Sequence, residues 1–198
     1  MSQKLAVTPG FFLMLALPLY LDGGLLFWAT VSAALLHELA HYGAARCLGA
    51  ELRRLRLTVA GAEMQLRSRH PLSYPAEFAI AAAGPLANLL LALVLANLPA
   101  LPHRFLLAGV HFSLAAFNLL PVEPLDGSQL LRIALSAAAN PAWGQRHALR
   151  LSLALAVILA ALGAVLLLCS GGNPSLLVTG LWLLSRNWPQ KKRPRSRQ

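Results

Sequence analysis

His37-Glu38-Leu39-Ala40-His41 places two imidazoles four residues apart in the chain. On a helix, positions i and i+4 project from one face, close enough for both rings to bind a single metal ion. The glutamate after the first histidine is placed to exchange protons with a water at that metal, which is the chemistry of metal-assisted hydrolysis. The motif follows directly on residues 25–36, which carry no charge and are mostly apolar. A soluble zinc protease uses the same five residues on a helix that need not be apolar on every face. Here the surroundings put the expected site inside a membrane, where ionisable side chains are rare and usually functional. The competing reading is a histidine pair near the end of a membrane helix, with Glu38 as a local ion-pair partner.

Catalytic zinc usually takes three protein ligands and keeps one open position. Two are supplied by His37 and His41. The acidic candidates for the third are Glu63, Glu77, Glu123 and Asp126. Asp126 is the best placed, because Pro121 and Pro124 break the preceding helix and would hold a carboxylate rigidly toward a neighbour. Glu123 is the second candidate, weighed against a loop charge facing Arg132 or water. His111 lies about two helical turns before Asn118, on a similar face. It reads first as a hydrogen-bonded packing histidine and second as part of the site. His70, His103 and His147 fall in loops.

The elements that must position these groups follow from hydropathy. The chain is 57% hydrophobic and 12% charged over 198 residues, far from the composition of a soluble domain. Apolar runs cover residues 5–21, 25–45, 78–98, 105–120, 149–168 and 176–184. The expected fold is therefore an all-α polytopic membrane protein of about six transmembrane helices. Residues 1–187 form one transmembrane domain, followed by a basic, disordered cytoplasmic tail at 188–198. The run before Asp22 lacks a small-x-small cleavage site, so it is expected to be retained rather than removed as a signal peptide. The net charge of +10 does not point to nucleic acid, since the positive residues sit between apolar runs and in the tail. With an inner N-terminus, Arg104 alone of the 17 Lys and Arg residues falls outside. That asymmetry puts both termini, and the ends of the second and fourth spans, on the cytoplasmic side.

The inner loop has a different pattern. Leu55, Leu57 and Val59 alternate with Arg54, Arg56 and Thr58, and a second alternation follows Ala60-Gly61. Period two on both sides of a glycine predicts a small β-hairpin between the second and third spans. It is either an amphipathic strand pair on the bilayer surface or an edge able to pair with an extended peptide. Cys47 and Cys169 are too few for a disulfide framework, and packing roles are expected for both.

H-E-L-A-H in the second span, with Asn118-Leu119-Leu120-Pro121-Val122-Glu123-Pro124-Leu125-Asp126-Gly127 closing the fourth, resembles the site-2 protease family of intramembrane zinc metalloproteases. The arrangement looks closest to the sporulation sigma-factor-processing branch. Ala83-Gly84-Pro85-Leu86-Ala87-Asn88 is similar to the G-P-x-x-N element of the family's third span. The likeness implies Zn2+ held by His37, His41 and Asp126, with Glu38 as the catalytic acid/base. It further implies that Asn118 and Asn88 position the substrate or stabilise the oxyanion; the alternative for each is a hydrogen bond between packed helices. Gly127-Ser128-Gln129 stands where the family commonly reads G-G-R, which alters a contact at a helix start. No PDZ insertion or C-terminal regulatory domain is seen, so regulation is expected to be simpler or supplied by a membrane partner.

The expected activity is hydrolysis of peptide bonds in or near transmembrane segments of membrane-tethered proteins, in a prokaryotic plasma membrane. The partners are then a membrane-embedded protein substrate and the lipid bilayer. A catalytically silent protein of the same fold that binds a partner is the alternative, and intact Glu38 speaks against it. A small metal transporter would want polar residues along several spans, whereas here they gather at one depth.

Overall fold

Ala29, Ala33, His37, His41 and Ala45 recur every four residues along the first long helix, and all five are buried. Such spacing makes one ridge, and its small members let neighbouring helices approach closely. Leu35, Leu36 and Leu39 lie off that ridge and are exposed. The helix, α1 (Leu25–Cys47), begins the long elements of a computed structural model that describes residues 5–7, 24–58, 61–68, 71–170 and 174–188.

The chain divides into two compact units, residues 1–119 and 120–198. The first holds α1, a three-stranded sheet, α2 (Tyr74–Ala96) and α3 (Arg104–Asn118). Ser73 caps α2 by accepting the Ala76 N–H, and a proline opens the first turn, the expected start signal for a helix. Both α2 and α3 pack against α1. Alanine and polar residues fill the interior: Ala81, Gly84, Asn88 and Ala92 on α2, and Ala108, His111 and Ala115 on α3. Asn88 is completely buried while Leu86 and Leu90 beside it expose 59% and 62% of their surface. Polar inside and leucine outside is the distribution of a protein facing lipid.

The predicted hairpin is present as β2 (Ala50–Thr58) and β3 (Gly61–Ser68), antiparallel from Ala50 opposite Ser68 to Thr58 opposite Gly61. A strand precedes them where the sequence suggested a first membrane helix: β1 (Leu5–Val7) pairs parallel with β2, Leu5 opposite Leu55. The start of the first apolar run is thus corrected from helix to strand, because an apolar run this close to a free strand edge can complete a backbone ladder. The remainder of that run, at 8–21, and the basic tail beyond 188 lie outside the described residues. The sheet order β1-β2-β3 leaves β3 at one end.

The second unit holds α4 (Asp126–Ala138), α5 (Pro141–Ser170) and α6 (Ser175–Asn187). Helices α5 and α6 pack closely at small residues. A Cβ on Gly180 would stand 2.6 Å from the Ala160 backbone, so only glycine permits the approach. Two described helices, α2 and α5, are long and apolar enough to cross a membrane. With 15 and 13 residues, α3 and α6 reach only about 22 and 20 Å at 1.5 Å per residue, against a hydrocarbon core of about 30 Å. Cys47 and Cys169 are free and exposed, which corrects the packing roles expected of them.

Candidate metal centre

In the first unit, His37 and His41 point toward each other from successive turns of α1, with their Nε2 atoms 3.1 Å apart. Their rings meet edge to face at a centroid distance of 4.7 Å. Two imidazoles binding one tetrahedral metal at about 2.0–2.1 Å place their nitrogens roughly 3.3 Å apart, so the pair fits a shared ion with little movement.

His41 Nδ1 lies 2.7 Å from the Ile80 carbonyl oxygen. A carbonyl only accepts, so Nδ1 carries the proton and donates it. The lone pair of His41 is therefore on Nε2, the atom facing His37, and a backbone partner on the far nitrogen is the usual support of a metal-binding histidine. Pro85 lies in the same stretch of α2. It has no N–H to offer the carbonyl four residues back, which weakens the helical ladder beside Ile80.

The other nitrogen of His37 meets Asn88, whose Nδ2 donates to Nδ1 at 3.1 Å. His111 Nδ1 in turn donates to Asn88 Oδ1 at 3.0 Å. All three residues are buried. Asn88 thus contacts a candidate ligand, and His111 reaches that ligand through Asn88. The i+7 spacing of His111 and Asn118 gave no hint of this, because the link runs through another helix.

Gly84 explains how α2 comes so close. A Cβ there would press on His41 Nε2 and lie 2.7 Å from His37 Nε2. Glycine at this position leaves the space in front of both ring nitrogens clear. Glu38 follows His37 on α1 and is half-buried. At the end of α3, Asn118 donates from Nδ2 to the Leu114 carbonyl of its own helix at 3.0 Å.

The second unit presents Asp126 in the first turn of α4, where the exposed N–H groups of a helix start favour a negative charge. Ser128, at the position where the family motif differs, donates to the Leu125 carbonyl at 2.8 Å and is buried. The turn before Asp126 is anchored at Glu123. Its N–H donates to Ser152 Oγ at 2.7 Å, and its carbonyl accepts from Asn187 Nδ2 at 2.8 Å. The Ser152 hydroxyl donates to Asn187 Oδ1, which closes the ring of bonds. On either side Val122 and Leu125 are buried with Ala156 and Leu183. Ser152 and Asn187 were not foreseen, since a serine and an asparagine in apolar helices carry no motif.

The first unit thus offers two candidate metal ligands, His37 and His41, and the second offers Asp126. Two neutral imidazoles and a carboxylate suit zinc. Glu123, the other acid considered from sequence, is not among these candidates; its backbone is what the fold holds.

An α-helical protein with leucines on its surface and a buried histidine pair on the small-residue ridge of α1 has the features of a membrane metalloprotease. Comparison with known proteins agrees. Residues 102–161 match the family model for peptidase family M50. A zinc metalloprotease of Methanocaldococcus jannaschii is 28% identical over 146 residues, covering 67% of this chain and 42% of that protein. Rip3 of Mycobacterium tuberculosis, which bears the name of a zinc metalloprotease, is 33% identical over 178 residues, 80% of this chain and 42% of Rip3. The chain thus spans 42% of the length of each curated relative. The solved structure of the site-2 protease from Methanocaldococcus jannaschii superposes with a TM-score of 0.70 at 21% identity, covering 100% of this chain and 96% of that one. The chain thus carries a peptidase family M50 segment, is similar in sequence to zinc metalloproteases over most of its length, and shares the fold of a site-2 protease. Nothing in these likenesses singles out the sporulation branch.

Proposed function

We propose that this chain is a zinc-dependent endopeptidase that cleaves membrane-tethered proteins in or near their transmembrane segments. The observation that carries the reading is the histidine pair on α1: Nε2 atoms 3.1 Å apart, with the far nitrogen of His41 held by a backbone carbonyl. His37, His41 and Asp126 would hold the ion. Zinc, when bound, supplies Lewis acidity toward a peptide carbonyl and makes a nearby water acidic near neutral pH.

The remaining work falls to the chain. Glu38 takes a proton from the attacking water and returns it to the leaving amine nitrogen. Backbone at the site must be extended, because helical carbonyls are already bonded and shielded. The terminal strand β3 supports this requirement: an edge strand can hold an extended peptide by backbone pairing. Asn118 and Asn88 are the candidates for positioning substrate. The sixteen inward positive charges support a multi-pass orientation with both termini and the metal end cytoplasmic.

Zinc content of the detergent-purified protein, measured with cleavage of a membrane-tethered reporter, tests the proposal. The expected result is one zinc per chain in wild type and in Glu38→Gln, loss of zinc in Asp126→Ala, and cleavage by wild type alone. Undiminished cleavage by Glu38→Gln would overturn the assigned chemistry.

A further inference from the structure

Asn88 and His111 are not among the candidate ligands, yet both are buried and bonded to each other and, through Asn88, to His37. The two histidines of the motif are not equivalent in this respect. His41 has a carbonyl on Nδ1, so its proton position is fixed. His37 has an amide there, and an amide offers either a donor or an acceptor in nearly the same space when turned over about χ2. That difference decides what His37 can do with its other nitrogen.

Consider the 3.1 Å contact between the two Nε2 atoms. With the His41 lone pair already on Nε2, the contact is a hydrogen bond only if His37 carries its proton on Nε2. Its Nδ1 then accepts from Asn88 Nδ2, and Asn88 Oδ1 accepts from His111 Nδ1, which is the arrangement of atoms found. Binding a metal through His37 Nε2 needs the opposite tautomer. The proton must be on Nδ1, so Asn88 must present Oδ1 to it. Asn88 Nδ2 then faces His111, which must accept on Nδ1 and carry its own proton on Nε2. Every bond in the row reverses together. Both imidazoles stay neutral in either arrangement, and no net proton is gained or lost.

We propose that Asn88 and His111 are positioning residues that set the tautomer of His37, so that zinc binding at the α1 pair reverses the His37–Asn88–His111 row. The inference rests on the assignment of His37 as a zinc ligand. His41 is the preset ligand and His37 the switchable one. Outer partners of metal-binding histidines typically change metal affinity by 10–100-fold when removed, and a partner able to reverse can adapt where a carbonyl cannot.

The test is the imidazole 15N spectrum of the full chain in detergent, with and without zinc, together with zinc affinity from competition with a chromophoric chelator. In wild type, zinc is expected to move His111 from the Nδ1–H to the Nε2–H tautomer. Asn88→Leu is expected to lose 10–100-fold in affinity and to leave His111 unresponsive. Asn88→Asp supplies acceptors to both rings. It is expected to keep zinc affinity within about threefold while holding His111 as Nδ1–H with or without the metal, a pattern that simple packing does not produce. Zinc bound by wild type with no change at His111, or bound equally well by Asn88→Leu, overturns the row while leaving the metal site standing. Wild type that binds no zinc, or His41→Ala that binds it as tightly as wild type, overturns the metal site itself.

Discussion

In the first unit the functional side chains are held through their own ring nitrogens: His41 by the Ile80 carbonyl, His37 by Asn88, and Asn88 by His111. In the second unit the bonds go to the backbone instead. Ser152 and Asn187 grip the N–H and carbonyl of Glu123, and Asp126 follows as the first residue of α4. The difference matches the symmetry of the two groups. An imidazole has one correct nitrogen to present, so its ring must be oriented and its proton placed from outside. A carboxylate turns about as many bonds but has two equivalent oxygens, so the turn that carries it is what the backbone bonds fix. Side-chain partners at one end, and backbone partners at the other, are two answers to one requirement of a metal ligand, orientation before the metal arrives.

The sharpest test of the first arrangement is chemical. Glu38→Gln keeps the shape of α1 and removes only the proton carrier. Reporter cleavage is expected to fall by roughly 10²–10⁴-fold, with zinc content unchanged by elemental analysis. Next comes the close approach of α2. Gly84→Ala would set a methyl group on both ring nitrogens, and zinc affinity is expected to drop beyond the 10–100-fold typical of an outer partner. Far-ultraviolet circular dichroism is expected to stay helical. Retained stoichiometric zinc in Gly84→Ala would break the account of the histidine end.

The aspartate end is expected to respond differently. Ser152→Ala leaves the Glu123 N–H without its partner in a partly buried turn, which costs about 1 kcal/mol. Its unfolding midpoint in denaturant is expected to fall accordingly, with a smaller fall in zinc affinity than Gly84→Ala gives. An affinity loss equal to that of Gly84→Ala would erase the distinction between the two ends. Thr30→Val supplies the smallest effect. Its hydroxyl bonds only the Leu26 carbonyl on an exposed face of α1, and a change under about 0.5 kcal/mol is expected by the same denaturant assay.

Several of these features could be read from the residues themselves. The i, i+4 histidines follow from helical period alone. The hairpin followed from alternation about Gly61, and its backbone pairing runs as that alternation required. Other features had no local signal. β1 was hidden because an apolar run at a chain start reads equally as helix, and only the free edge of β2 makes it a strand. The extent of α4 had no span signal, since its residues 126–138 are amphipathic rather than uniformly apolar. Ser152 and Asn187 acquire meaning only from their shared contact with Glu123, which is 29 residues from one and 64 from the other.

Sequence by itself determined the candidate donors and their chemistry: two histidines at helical spacing, a glutamate beside them, a short list of acids for a third ligand, and apolar surroundings. These are properties of side-chain type and short-range spacing, and neither changes on folding. Tertiary structure decided the direction of each hydrogen bond around those donors. It made His41 a fixed tautomer and His37 a reversible one, and it turned Gly84 from a flexible residue into the clearance in front of both rings. Such assignments depend on which groups from distant segments meet, and a meeting between residues 37, 88 and 111 has no periodicity from which it could be read.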